Sequence, residues 1–209
     1  MTSPYSALEV ALDALDERDP DIRQARVQFG NPCDRFEPAK FGTLVRIILG
    51  QQISRAVATV LWTRLVENEL TTAPALAAVM YETLQSLGLS RRKAEYIIDL
   101  ARAEINGTLG LAQLNTKPGP EVSHILTSFR GIGGWTANNY RLFALADFDA
   151  WPGNDLALME AVKRLKNLKA RPSHKEMDKF AGQWVPYRGA AALMLWHLYT
   201  CLVRDARPT

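Results

Sequence analysis

The chain has 209 residues, 47% of them apolar and 22% charged, with a formal net charge of +3 at neutral pH. That is apolar material enough for one domain or two small ones, and no run approaches the roughly 18 uncharged apolar residues that cross a bilayer. Cys33 and Cys201 are the only cysteines, too few for a disulfide framework or for the thiolates of an iron-sulfur cluster. The first twenty residues carry acids where a signal peptide needs bases. The expectation is therefore a globular, non-secreted protein of a reducing compartment, whose mild basicity permits a nucleic-acid partner without identifying one.

No low-complexity run, internal repeat or extended period-2 alternation appears, so the fold class reads as all-α, with about ten helices joined by short connections. The first helix carries Leu8, Val10, Ala11 and Leu15. Phe41, Leu44, Val45, Ile48 and Leu49 then form a stripe that stops at Gly50. A polar loop, Gly50-Gln51-Gln52-Ile53, leads to Ser54, which suits the cap of a helix bearing Val57, Val60, Leu61 and Leu65. Ser90 suits the cap of another, with Ala94, Ile97, Ile98, Ala101 and Ile105 in register and Asn106-Gly107 at its end.

Pro118-Gly119-Pro120 introduces Val122, Ile125, Leu126 and Phe129, and a glycine turn connects these to a helix from about Gly134 to Ala146. After a loop over 147–154, Asp155 stands at the start of a helix with Leu158, Met159, Val162 and Leu165. Ser173 suits the cap of a helix through Phe180, and Pro186 precedes the last, which carries Ala190, Ala191, Met194, Leu195, Leu198 and Leu202.

Three features bear on chemistry. In Thr127-Ser128-Phe129-Arg130-Gly131-Ile132-Gly133-Gly134-Trp135-Thr136-Ala137 the glycines at 131 and 133 admit positive φ and leave no Cβ in the way of an approaching group. Amides at the start of the following helix, with the positive end of its dipole, would suit a phosphate, and Thr136 and Asn138 could add donors. The same pattern also serves an ordinary helix-ending turn. Asp155 is either a helix N-cap or a carboxylate with work to do, with Asp147 and Asp149 as nearby alternatives. Arg91, Arg92 and Lys93 form a basic cluster at a helix start, where they oppose the dipole; it is either a phosphate contact or a solvated face. His124, His174 and His197 have no metal-ligand spacing.

The segment around the glycine turn resembles the helix-hairpin-helix consensus, and Trp151-Pro152-Gly153-Asn154-Asp155-Leu156-Ala157-Leu158 resembles the Pro-x-x-Asp-Leu-x-Leu segment of the helix-hairpin-helix DNA glycosylases. Ile48-Leu49-Gly50-Gln51-Gln52-Ile53-Ser54 is similar to the superfamily's DNA-wedge loop. Leu87-Gly88-Leu89-Ser90-Arg91-Arg92-Lys93-Ala94 and Trp184-Val185-Pro186-Tyr187-Arg188-Gly189-Ala190-Ala191 resemble signatures of its alkylpurine branch, the DNA-3-methyladenine glycosylase II (AlkA/Mag-like) family.

That resemblance implies an all-α, two-lobed fold with the active-site cleft between lobes. The lobes expected are about 41–150, with wedge loop and hairpin, and 1–40 plus about 151–209. It implies a glycosylase that flips alkylated purines of the 3-methyladenine and 7-methylguanine type from duplex DNA and hydrolyses the glycosidic bond. A non-catalytic DNA-binding module and a glycosylase for oxidised or mismatched bases are the alternatives. On this reading Asp155 is the catalytic carboxylate and Trp135 stacks on the extruded base. Trp62, Trp151, Trp184 and Trp196 belong to the core or its rim.

The implied DNA contacts are Gln51, Gln52, Ser54, Gly131, Gly133, Gly134, Thr136, Arg91 and Lys93, with Gln52 at the wedge position. Trp135 occupies the place where bifunctional relatives carry a lysine, which implies a monofunctional enzyme. The resemblance implies no required cofactor. It does imply a cation, monovalent, on the main-chain carbonyls of Thr127, Phe129 and Ile132. Arg188 is expected to be structural. The expected partner is double-stranded DNA with a damaged base, bound by a monomer without a membrane, on the nucleoid of a bacterial cytoplasm or in a eukaryotic nucleus.

Overall fold

The computed structural model describes residues 3–204 and is all-helical over them, with thirteen helices and no strand. The chain forms two compact units, Met1–Phe36 with Ala146–Thr209, and Glu37–Leu145.

The central unit contains α3 (Phe41–Leu49), α4 (Arg55–Glu67), α5 (Ala73–Ala77), α6 (Tyr81–Ser86), α7 (Arg91–Ile105), α8 (Leu111–Leu114), α9 (Gly119–Thr127) and α10 (Gly134–Leu145). Serine oxygens start two of them: Ser54 Oγ accepts the Val57 amide and Ser90 Oγ the Lys93 amide, each replacing a carbonyl that the first turn lacks. Helix α7 packs on α3, α5 and α6, and α10 packs on α3 and α9. Leu44, Ile48, Leu65, Leu84, Ile97, Leu126 and Tyr140 are sealed in the resulting core. Each fully buried aliphatic side chain there contributes about 2 kcal/mol, so Ile97→Ala, leaving a cavity as well, would cost about 3 kcal/mol.

The other unit contains α1 (Pro4–Arg18), α2 (Pro20–Phe29), α11 (Leu156–Leu165), α12 (His174–Gly182) and α13 (Arg188–Arg204). Ala190, Ala191 and Ala192 are fully buried on α13, which packs against α1, α2 and α11; small side chains allow close approach on several sides. Ser173 and Glu176 close a capping box on α12. At the centre of this unit lies a carboxylate, Asp19, only 1% exposed. It accepts from Lys166 Nζ at 2.7 Å and Trp184 Nε1 at 2.8 Å, and caps α2 through the Asp21 amide. Burial pushes the Asp19 carboxyl up, but the bonds from Lys166 and Trp184 outweigh it and hold it below its ordinary value.

The thirteen helices exceed the ten expected because α5, α6 and α8 have only five, six and four residues, less than two turns, so no apolar period can build up. Phe129 lies beyond the end of α9 and packs on the core from the turn. Val10, Val57, Val60 and Ile105 fit their helical stripes by spacing but are 49–66% exposed, each at the margin of an apolar face rather than its centre.

Candidate functional site

The turn between α9 and α10 is built on a single demanding glycine. Gly131 has φ +89°, and a Cβ there would run into the ring of Tyr96. Tyr96, on α7, carries the Arg130 guanidinium over its face at 5.1 Å, so the turn is stacked onto that helix. The Ile132 amide donates to Phe129 O at 3.1 Å and closes the hairpin, with the Ile132 side chain buried. Gly133 and Gly134 are exposed, and a Cβ at either would meet nothing within 4 Å. Gly133 has no side chain to cap α10, and amides of the first turn have no carbonyl inside their own helix. Open space, a helix start and an absent side chain therefore coincide.

Trp135 is half-buried in that first turn, and its carbonyl accepts from Asn139 Nδ2 at 2.7 Å. Thr136 points inward, 2% exposed, and its Oγ1 accepts from Gln51 Nε2 at 2.8 Å. Asn138 Oδ1 accepts from Arg141. Gln51 also donates to Gly131 O at 2.9 Å, which ties the loop after α3 to the hairpin. Gln52, the next residue, is exposed and left-handed at φ +59°, and Ile53 and Ser54 are exposed beside it.

The basic cluster at the head of α7 divides by function. Arg91 pairs with Glu95 at 2.9 Å and lies 4.7 Å over the Tyr81 ring, both at the surface. Lys93 turns the other way and donates from Nζ to Leu49 O and Gln51 O, both at 2.8 Å; burial pushes its ammonium below its ordinary pKa.

Thr127, Phe129 and Ile132 fall at the end of α9 and along the turn. Their carbonyls are neutral, hard oxygen donors, a set that suits an alkali cation and not a transition metal. Phe129 O already accepts one amide, with a second lone pair left. Among the described residues no cluster of His, Cys, Asp or Glu has the form of a metal site.

In the other unit Asp155 caps α11. Its Oδ1 accepts the amides of Ala157 at 2.9 Å and Leu158 at 3.1 Å, and also Trp196 Nε1 at 3.2 Å from α13. Three donors on one oxygen, at the start of a helix, fix the direction of the carboxylate. The preceding turn is clamped from α13. Arg188 grips Asp149 in a bidentate pair at 2.8 and 2.6 Å, and the Gly189 amide donates to Phe148 O at 2.6 Å. Asp147 Oδ1 accepts the Asp149 amide. Gly153 is required because a Cβ would strike the Trp151 indole, itself packed edge-on against Trp184. His197 Nε2 sits 2.9 Å from Phe29 O, a contact within the helical packing.

The sequence motifs did not indicate Tyr96, Trp196 or the Asp19–Lys166 pair. Each acts across a long chain separation, 41 residues between Trp196 and Asp155 and 147 between Lys166 and Asp19, with no local pattern to announce it.

The profile of a known family, the HhH-GPD superfamily base excision DNA repair proteins, matches residues 45–187. Across 205 residues the chain is 25% identical to the alkylbase DNA glycosidase-like protein mag2 of Schizosaccharomyces pombe, covering 94% of each. It is 30% identical over 167 residues to DNA-3-methyladenine glycosylase 2 of Escherichia coli, covering 73% of this chain and 55% of that one. The chain spans about half the length of the bacterial relatives it matches, 42% in a Bacillus subtilis protein. A solved S. pombe 3-methyladenine DNA glycosylase in complex with abasic DNA shares the fold at a TM-score of 0.80, with 23% identity and coverage of 97% and 100%.

Proposed function

The chain belongs to the HhH-GPD superfamily of base excision DNA repair proteins, and from that footing we propose that it is a monofunctional DNA glycosylase for alkylated purines. The names of its relatives support this reading. The observation that carries it is Asp155, whose Oδ1 is oriented by two backbone amides and the Trp196 indole. An alkylated purine is already cationic, so it departs with the glycosidic electron pair without strong acid assistance. Positive charge then develops on the deoxyribose, where a fixed carboxylate stabilises the transition state more than the ground state. Water adds at the anomeric carbon, its proton is lost, and an abasic site remains.

Trp135 supplies an electron-rich face for the electron-poor base, and having no amine it forms no Schiff base. Gln52, exposed and displayed by its left-handed backbone, fills the space of the extruded nucleotide. The glycine turn receives a phosphate on the amides that begin α10, with Gly133 and Gly134 giving access. The carbonyls of Thr127, Phe129 and Ile132 would hold a monovalent cation, which when bound supplies positive charge toward that phosphate. Arg91 adds surface charge and Ser54 serves first as the α4 cap. The enzyme acts as a monomer without a required cofactor, on the nucleoid or in the nucleus. No helix among the described residues is long and apolar enough to cross a membrane.

The test is a panel of duplexes containing 3-methyladenine, 7-methylguanine, ethenoadenine, hypoxanthine or 8-oxoguanine, with products resolved before and after alkali. Release of methylated purines, with strand breaks only after alkali, is expected. Release of 8-oxoguanine alone, breaks without alkali, or salt-sensitive binding with no release would each replace this reading with another.

A further inference from the structure

Two side chains that the motifs direct toward DNA are committed elsewhere. Lys93 Nζ spends two of its three protons on the carbonyls of Leu49 and Gln51, both at 2.8 Å. Gln51 spends both amide protons on Gly131 O and Thr136 Oγ1, at 2.9 and 2.8 Å. The acceptors are main-chain carbonyls or the hydroxyl of a residue 2% exposed, so the bonds are made within the protein. The line of contacts runs from α7 through the 50–53 loop to the hairpin and the first turn of α10. It brackets Gln52, which stands exposed at φ +59°. A non-glycine residue persists in that conformation only where its surroundings over-determine it. Here they do, because the preceding residue is held by its side chain and by its carbonyl.

We infer that Lys93 and Gln51 form a strut that fixes the 50–53 loop on the hairpin, so that Gln52 enters the duplex at a set distance from the phosphate bound by the turn. Both are positioning residues for base extrusion, and neither is a DNA ligand. The inference rests on the reading of Gln52 as the residue that replaces the extruded base. It departs from the ordinary expectation for a lysine in a basic cluster, which is that it neutralises a phosphate. A phosphate ligand and a strut differ in what their loss does. Removing the first weakens binding to any duplex and lowers the salt slope by about one. Removing the second leaves the salt slope alone and slows only the step that needs the loop in place.

Lys93→Met and Gln51→Met keep length while deleting the donors, and amide hydrogen exchange on the free protein reads the strut without DNA. Exchange across residues 49–54 should rise about tenfold in each variant, while α7 stays protected, showing that the fold is intact. On undamaged duplex, affinity should stay within about twofold and its salt slope unchanged. The fluorescence rise of 2-aminopurine at the target site and the single-turnover rate of base release should both fall about tenfold. The double variant should be no worse than either single one, as members of one unit behave.

Unchanged exchange overturns the strut, and a salt slope reduced by about one makes Lys93 a phosphate ligand instead. A loosened loop with undiminished extrusion and release overturns the positioning role. If the wild-type protein releases no base from any substrate, the proposed function fails. The exchange and 2-aminopurine measurements then still decide whether the strut exists and whether it governs extrusion.

Discussion

The two units hold their candidate residues by opposite means. In Met1–Phe36 with Ala146–Thr209, carboxylates do the holding: Asp155 gathers amides and an indole, Asp149 is gripped by Arg188, and Asp19 collects Lys166 and Trp184. In Glu37–Leu145, backbone carbonyls do it: those of Leu49 and Gln51 receive Lys93, and that of Gly131 receives Gln51. The two helix starts repeat the contrast, since α11 is closed by its own carboxylate whereas α10 begins on glycines in open space. A carboxylate can titrate, can be replaced by its amide, and can stabilise a cation. A main-chain carbonyl can also hold a cation, as those of Leu49 and Gln51 hold the Lys93 ammonium, but it neither titrates nor changes with its residue's side chain.

Substitutions that keep shape and change charge should therefore separate the units. The largest effect expected is at Asp155. Asparagine is as good an N-cap, so Asp155→Asn should move thermal stability by less than about 1 kcal/mol while lowering single-turnover base release about a thousandfold. Large loss of stability, or activity retained, would reduce Asp155 to a cap.

Asp19→Asn follows, at about 2 kcal/mol of destabilisation near pH 7, because Lys166 would lose the buried one of its two carboxylate partners and keep only Asp21, at 2.9 Å. Its pH dependence gives a sharper reading. The Asp19 pKa is held below its ordinary value. Its contribution is therefore complete above the usual carboxylate range and fades as pH falls from about 4 through the lowered value. Denaturant midpoints of wild type and Asp19→Asn should converge in acid, and a gap that stayed constant would deny the linkage.

Gly131→Ala should cost about 2 kcal/mol, from positive φ and collision with Tyr96, by chemical denaturation. Gly134→Ala is the smallest in stability, a gain of about 0.5 kcal/mol as a helical alanine. It should nonetheless lower duplex affinity about tenfold in a fluorescence anisotropy titration, since its methyl occupies the space the turn leaves open. Equal effects at 131 and 134 would erase the distinction between a glycine the fold needs and one the ligand needs.

What could be read from the chain alone follows from how local each interaction is. Serine caps, the α3 and α7 stripes and the α11 start are encoded in spacings of three or four residues, and all but Ile105 at the end of α7 appear where the spacing puts them. The family likewise followed from contiguous motifs, which the profile match over residues 45–187 bears out. Which way a side chain turns is not local. Lys93 shares a cluster with Arg91, yet one faces inward to the loop carbonyls and the other outward to Glu95, a choice made by α3 from 44 residues away. The three shortest helices escaped for a related reason, since packing and not periodicity makes them helical.

The left-handed backbone at Gln52 has a consequence for variation at that position. Branching at Cβ is poorly tolerated where φ is positive, so valine and isoleucine are filtered out by the peptide chain before DNA has any say. Asparagine and glycine pass that filter, but for the role in base extrusion that we propose for this residue they are too short to span an emptied base step. The acceptable alphabet shrinks to long, unbranched side chains, so a library built at residue 52 would return survivors of two successive sieves, the first inside the protein.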